Sequence, residues 1–131
     1  MITLDLSGVT VQLGDRLAWV DEFDWRPVEQ SIEYSTTGAM HVDVGVKQAG
    51  RPITLQGSET EAWITREVST TLAAWEALPG AVFTLTLRGV ARQVIFDHER
   101  GGFVAQPVWR LLDGEETPDQ LFVPTFRFLE A

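Results

Sequence analysis

Few side chains in this sequence are suited to chemistry. There are two histidines and no cysteine, which removes disulfides, thiolate nucleophiles and every cysteine-based zinc pattern at once. His41 and Asp43 stand two apart in an alternating run, a spacing that turns both toward one face of a strand, as a metal pair requires. No third ligand stands near them, so an exposed polar face on an otherwise valine-lined strand accounts for the pair better. His98 lies between Asp97 and Glu99, ahead of Arg100-Gly101-Gly102. A charged hairpin end explains it more simply than a general acid or base.

The densest carboxylate run is Asp21, Glu22 and Asp24, followed by Glu29 and Glu33. It lacks the glycine and the alternating oxygen ligands of a calcium loop, and reads as a solvated or interface-facing acidic patch. Gly57-Ser58 is not framed as a nucleophile elbow, and Gly101-Gly102 has no helix behind it to cradle a phosphate. Glu115 and Glu116 are adjacent, so their side chains diverge rather than face each other across a cleft. The expectation is a protein with no catalytic residues, no metal site and no cofactor, which is not an enzyme.

Interleaved with the acidic run are Trp19, Phe23 and Trp25. Two readings apply: these rings fill the core, or with Asp24 they form a docking arm whose aromatic anchors and carboxylates meet an arginine-rich neighbour. Trp19, Phe23, Asp24 and Trp25 are therefore the candidate interface residues. Five tryptophans and seven phenylalanines in a chain of 131 residues are enough to serve an interface as well as a core.

Length and composition set the frame for these residues. A chain of 131 residues fits a single β-rich domain over 1–131, with 1–50 including an extended interface arm. With 44% hydrophobic and 22% charged residues it can offset chain entropy by burial. The net charge of -9 argues against a phosphate-binding surface, so nucleic acid is not an expected partner. Lys47 is the only lysine and asparagine is absent; the other nine basic residues are arginines, which suit interfaces better than lysines do. No basic leader and no long apolar run is visible, which leads to an expectation of cytoplasmic synthesis and no membrane partner.

The elements that must position these residues are mostly short strands. Residues 2–6 and 9–13 flank Ser7-Gly8 as a hairpin, and 30–36 and 40–46 alternate on either side of Thr37-Gly38. Residues 15–27 blur into a strand or a long loop. After a short strand over 52–56, Thr65 reads as the N-cap of a helix with Glu67 in its first turn. Its apolar stripe is Val68, Leu72, Trp75 and Leu78, expected to lie on a sheet, and Pro79-Gly80 ends it. Phe83, Leu85 and Leu87 alternate with polar neighbours before Gly89 turns the chain into 91–97. Two closing strands, 103–111 and 121–130, contain Pro107 and Pro124, which should place both at an edge or a bulge. The fold class expected is mainly β: a β-sandwich or partly closed barrel of seven to eight short strands with one α-helix on its side.

A longer-range order of features begins at Arg51-Pro52-Ile53-Thr54-Leu55-Gln56-Gly57. A helix led by Trp63, then Pro79-Gly80, the strand 83–87 and Val94-Ile95-Phe96 before His98-Glu99 follow it, with Ala105-Gln106-Pro107-Val108 and Thr125-Phe126-Arg127-Phe128-Leu129-Glu130 closing the chain. This order resembles small tail and baseplate proteins of tailed bacteriophages, near the distal tail proteins and tail-tube-like folds. It spans residues 51–131, and 1–50 lie outside it. The resemblance implies a structural subunit of the virion tail, a homo-oligomeric ring of threefold or sixfold symmetry that links tail tube to tip components. The partners it implies are copies of the chain and other tail or baseplate proteins. The alternatives are a carbohydrate- or ligand-binding β-sandwich module whose tryptophans stack on sugars, and a small hydrolase.

Overall fold

The computed structural model describes residues 2–131. Its elements begin with β1 (Thr3–Leu6), β2 (Val9–Gln12), β3 (Ala18–Trp19), β4 (Val28–Tyr34), β5 (Met40–Val46), β6 (Pro52–Gln56) and β7 (Ile64–Thr65). Then come α1 (Arg66–Glu76), β8 (Phe83–Leu87), β9 (Val90–Phe96), β10 (Phe103–Pro107) and β11 (Leu121–Glu130). The architecture is mainly β and sandwich-like, 45% strand and 8% helical, and it does not close into a barrel. There are more strands than the expected seven or eight, partly because β3 and β7 have two residues each, too few to leave an alternating pattern.

Tight turns fix the hairpins. Ser7 and Gly8 have φ of 51° and 86°, and Arg88 and Gly89 have 53° and 80°, the doubly left-handed geometry whose twist matches paired antiparallel strands. β1–β2 and β8–β9 are the result, and Leu4 pairs with Leu85 to join them. The main sheet runs β2-β1-β8-β9-β11-β6-β3, with β10 and β7 also on β11. Alternation puts Phe83, Leu85 and Leu87 on the buried face, opposite Val94 and Phe96. Phe96 packs at 5.0 Å from both Phe83 and Phe128, which makes the centre of the core aromatic.

β11 carries the architecture because it changes partners along its length. On one flank it pairs with β10 and then β9, and on the other with β7 and then β6. The expectation that both closing strands lie at an edge holds for Pro107, at the end of β10, which among the described residues pairs with β11 alone. It fails for Pro124, which is buried inside a strand paired on both flanks. Pro124 sits where β7 has ended and β6 has not begun, so its missing N–H breaks no ladder on that flank. Its carbonyl still accepts from Gly57 N at 2.9 Å.

Thr65 caps α1, accepting from Val68 N at 3.3 Å. The helix stops at Glu76, before the proline, since residues ahead of proline avoid the α region. Leu72 is fully buried and Val68 and Trp75 partly so, whereas Leu78 lies beyond the last helical turn and is 43% exposed. The stripe therefore docks through three of its four residues.

β4 and β5 stand apart from all this. Among the described residues they pair only with each other, and every residue of both strands is exposed.

Candidate interaction site

The segment between β3 and β4 meets cations from distant parts of its own chain. Trp19 pairs with Leu55 at the rim of the core, and its indole carries the guanidinium carbons of Arg51 and Arg92 at 4.9 Å each and that of Arg88 at 5.6 Å. Arg51 also lies 5.9 Å from the Trp25 ring, beside which Lys47 Nζ stands at 6.0 Å. Cations and rings thus alternate from the core rim to the root of the β4–β5 hairpin, each contact contributing about 0.5–1 kcal/mol where solvent reaches it.

The acidic residues close the same cluster. Asp21 accepts from Thr54 N at 2.8 Å and from Thr54 Oγ1 at 3.0 Å, pinning the segment to β6. Glu22 pairs with Arg88 through its carboxylate and takes the Arg51 Nη2 hydrogen on its carbonyl at 2.7 Å. Two of the three carboxylates in the acidic run are thus engaged within the chain. Trp19 Nε1, Arg51 Nε and Arg92 Nη1 are buried with no hydrogen-bond partner among the described residues. Stacking on the indole offsets part of what these three unsatisfied donors cost.

Of the four candidate interface residues, Trp19 and Trp25 belong to this stack and are partly buried. Phe23 is 87% exposed, and Asp24, also exposed, only donates its backbone N–H to Asp21 O. The structure therefore divides the arm: Trp19 packs at the core rim, Trp25 lies half-buried beside Arg51 and Lys47 at the hairpin root, and the Phe23-Asp24 tip faces solvent. Sequence reasoning missed Arg51, Arg88 and Arg92. The available signal was Arg92, which shares the register of the core-facing Val94 and Phe96 on β9.

The hairpin is the second feature of the site. Its register pairs Val28 with Val46, Gln30 with Val44, Ile32 with Val42 and Tyr34 with Met40. One face is therefore apolar, interrupted only by Gln30. The other face pairs Glu29 with Gly45, Ser31 with Asp43 and Glu33 with His41. His41 and Asp43 do share a face, as their spacing requires. Among the described residues no group of three or more His, Cys, Asp or Glu is arranged to hold a metal ion. Glu29 accepts from Lys47 Nζ at 2.7 Å, and that hydrogen bond and charge hold its carboxyl below the usual range. A groove of about 710 Å³ runs along the hairpin root, lined by Trp25, Arg26, Val28, Glu29 and Lys47 among others.

No family model, curated protein or solved structure matches this chain. Function therefore rests on the surface itself. Away from the hairpin, His98 Nδ1 stands 3.7 Å from Glu76 at the end of α1, and Arg100 Nε donates to Asp97 at 2.5 Å. The 97–102 segment is not the hairpin end expected from sequence: among the described residues it links β9 to β10, which pair one after the other with β11 and not with each other. Backbone N–H donors, its own and that of Gly114, hold the Glu116 carboxyl below the usual range. Among the described residues no helix is long and apolar enough to cross a membrane.

Proposed function

We propose that this chain is a structural subunit of a bacteriophage tail or baseplate that assembles into a ring and links tail tube to tip components. On this reading it has no catalytic role, is made in the host cytoplasm, and ends up in the virion tail. The observation that carries the assembly part is the β4–β5 hairpin, whose apolar face has seven large side chains between 42% and 72% exposed. Isolated proteins rarely expose a contiguous apolar patch beyond a few hundred Å², and larger ones mark interaction surfaces. The phage part rests on the ordered features from Arg51 to Glu130, which the β-sandwich-like fold accommodates.

The test is co-expression with the products of the neighbouring genes, followed by affinity purification and negative-stain microscopy. Ring particles containing a tail component support the reading. A chain that captures none of those products and forms no particle overturns it.

A carbohydrate-binding module is the second reading, favoured by Trp109. This ring is 52% exposed, stands edge-on to Trp63 at 6.5 Å, and follows a groove lined by Glu59, Gln106 and Val108. A shift of tryptophan fluorescence on glycan addition, lost in Trp109→Ala, would favour it.

A further inference from the structure

The backbone of the hairpin shows where its free hydrogen-bonding groups point. Ser35 N donates to Ala39 O and Lys47 N donates to Pro27 O, so the bonded pairs of this antiparallel ladder fall on the odd-numbered residues. The even-numbered residues between them turn their N–H and C=O groups outward. On β4 these are Val28, Gln30, Ile32 and Tyr34, and on β5 Met40, Val42, Val44 and Val46. None of these outward groups finds a partner among the described residues. The same residues supply the apolar face, so both deficits lie on one set of eight positions.

Sheet edges left open in this way invite pairing, and proteins ordinarily blunt them with proline, lysine, a bulge or a cover. Neither strand contains a proline, a lysine or a register break. The only lysine, Lys47, follows β5 and is engaged by Glu29. The charges the strands do carry, Glu29, Glu33, His41 and Asp43, all lie on the face opposite the apolar one, so on the apolar side nothing blocks an incoming strand.

The geometry points to a second copy of this chain as the occupant of these edges, with the outer edge of β5 in one copy pairing with the outer edge of β4 in the next. Three observations select a copy over another protein. The two edges are equal in length and each offers four outward residues, so they complement each other without adjustment. Repeating an up-down hairpin beside itself makes every new contact antiparallel and keeps all apolar residues on one face and all carboxylates on the other. Each hairpin has one edge of each kind, so head-to-tail pairing that closes satisfies every edge, whereas a single foreign strand leaves one open. This inference deepens the assembly part of the proposed function and is independent of its phage part.

The experiment compares three full-length chains by sedimentation velocity over a concentration series. Val44→Pro deletes an outward N–H while leaving the inward ladder whole, because proline is tolerated where the N–H faces away from the partner strand. Val42→Lys with Val44→Lys keeps every backbone donor but charges the apolar face. Near-ultraviolet circular dichroism of the core aromatics reports on the body of the fold, which the hairpin does not enter. The wild-type chain is expected to form a discrete oligomer. Both variants are expected to weaken it by about tenfold or more with the core signal unchanged.

An oligomer equally strong in both variants overturns the hairpin as the interface. A wild-type chain that stays monomeric at every concentration overturns the second copy as occupant, and a hairpin protected from hydrogen exchange only by a different protein does the same. Should the proline variant lose its hairpin, the lysine variant decides alone. Self-association lost in the variants while no tail protein binds the wild type upholds this inference and sinks the phage reading, so the two failures are distinguishable.

Discussion

The guanidinium carbon of Arg92 lies 4.9 Å from the centre of the Trp19 ring, although β9 and β3 are separated in the sheet by β11 and β6. Trp19 therefore reaches back across the core face and caps its open end, with Arg92 in the register that Val94 and Phe96 use deeper inside. Trp19→Ala is expected to cost about 2–4 kcal/mol, toward the low end for tryptophan because the ring is only partly buried. Trp19→Phe should cost distinctly less, because it keeps an aromatic face for Arg51 and Arg92 while deleting the unsatisfied Nε1 donor. Urea unfolding of the two variants decides it; equal losses would mean that the indole nitrogen has a partner.

Leu72 and Leu78 occupy the same apolar stripe in sequence but different places in the fold. Leu72 has no exposed surface and Leu78 is 43% exposed. Leu72→Ala is expected to destabilise by about 2–5 kcal/mol and Leu78→Ala by less than about 1 kcal/mol. Comparable midpoint shifts in chemical denaturation would place Leu78 back on the sheet.

What the sequence made legible was local. Ser7-Gly8, Thr37-Gly38 and Gly89 announced hairpins because a tight turn depends on one or two residues that accept a left-handed backbone, and Thr65 announced a helix because a cap depends on the next three. Pro124 was misplaced because its tolerance depends on where β7 ends and β6 begins, which no local pattern encodes. The site divided in the same way. Trp19 and Trp25 stood out by residue type, but the cations they meet come from Lys47, Arg51, Arg88 and Arg92, brought together only by the sheet. The alternation of β4 and β5 was plain, yet alternation cannot say whether the apolar face is covered, and here it is not.

Two glycines are required by close approach rather than by turn geometry. A Cβ on Gly57 would lie 2.9 Å from Pro124 Cδ and 3.0 Å from Ala62 O, and one on Gly102 would lie 2.7 Å from Phe96 Cβ. Gly57→Ala and Gly102→Ala are each expected to cost about 1–3 kcal/mol through overpacking. Gly45 on β5 has open space around its Cβ position, so Gly45→Ala should change stability by less than about 0.5 kcal/mol. Thermal melting of the three variants checks the contrast.

Lys47 holds the Glu29 carboxyl below its usual range, first by a hydrogen bond and then by charge. The folded pKa is lower than the unfolded one, so the pair favours the closed hairpin above the unfolded value. That contribution is lost as pH falls through the folded value. Lys47→Met is expected to return the Glu29 pKa toward the ordinary carboxylate range, followed by the carboxyl carbon shift in an NMR titration. An unchanged midpoint would show that the pair does not persist in solution.

Salt should strengthen self-association, the reverse of an interface held by ion pairs. Side-by-side hairpins bring Asp43 of one copy near the Glu29 and Glu33 row of the next, all on the polar face, with only His41 and the already engaged Lys47 among them. Repulsion between these carboxylates opposes pairing, and screening relieves it, since the Debye length shrinks from about 10 Å at 0.1 M to about 3 Å at 1 M salt. The apolar face on the other side gains nothing from charge and loses nothing to screening. Sedimentation equilibrium across that salt range is expected to show tighter association at the high end, and Asp43→Asn is expected to flatten the dependence. Association that weakens with salt would instead point to the Arg51, Arg88 and Arg92 cluster meeting carboxylates of a neighbour, and would move the interface from the hairpin to its root.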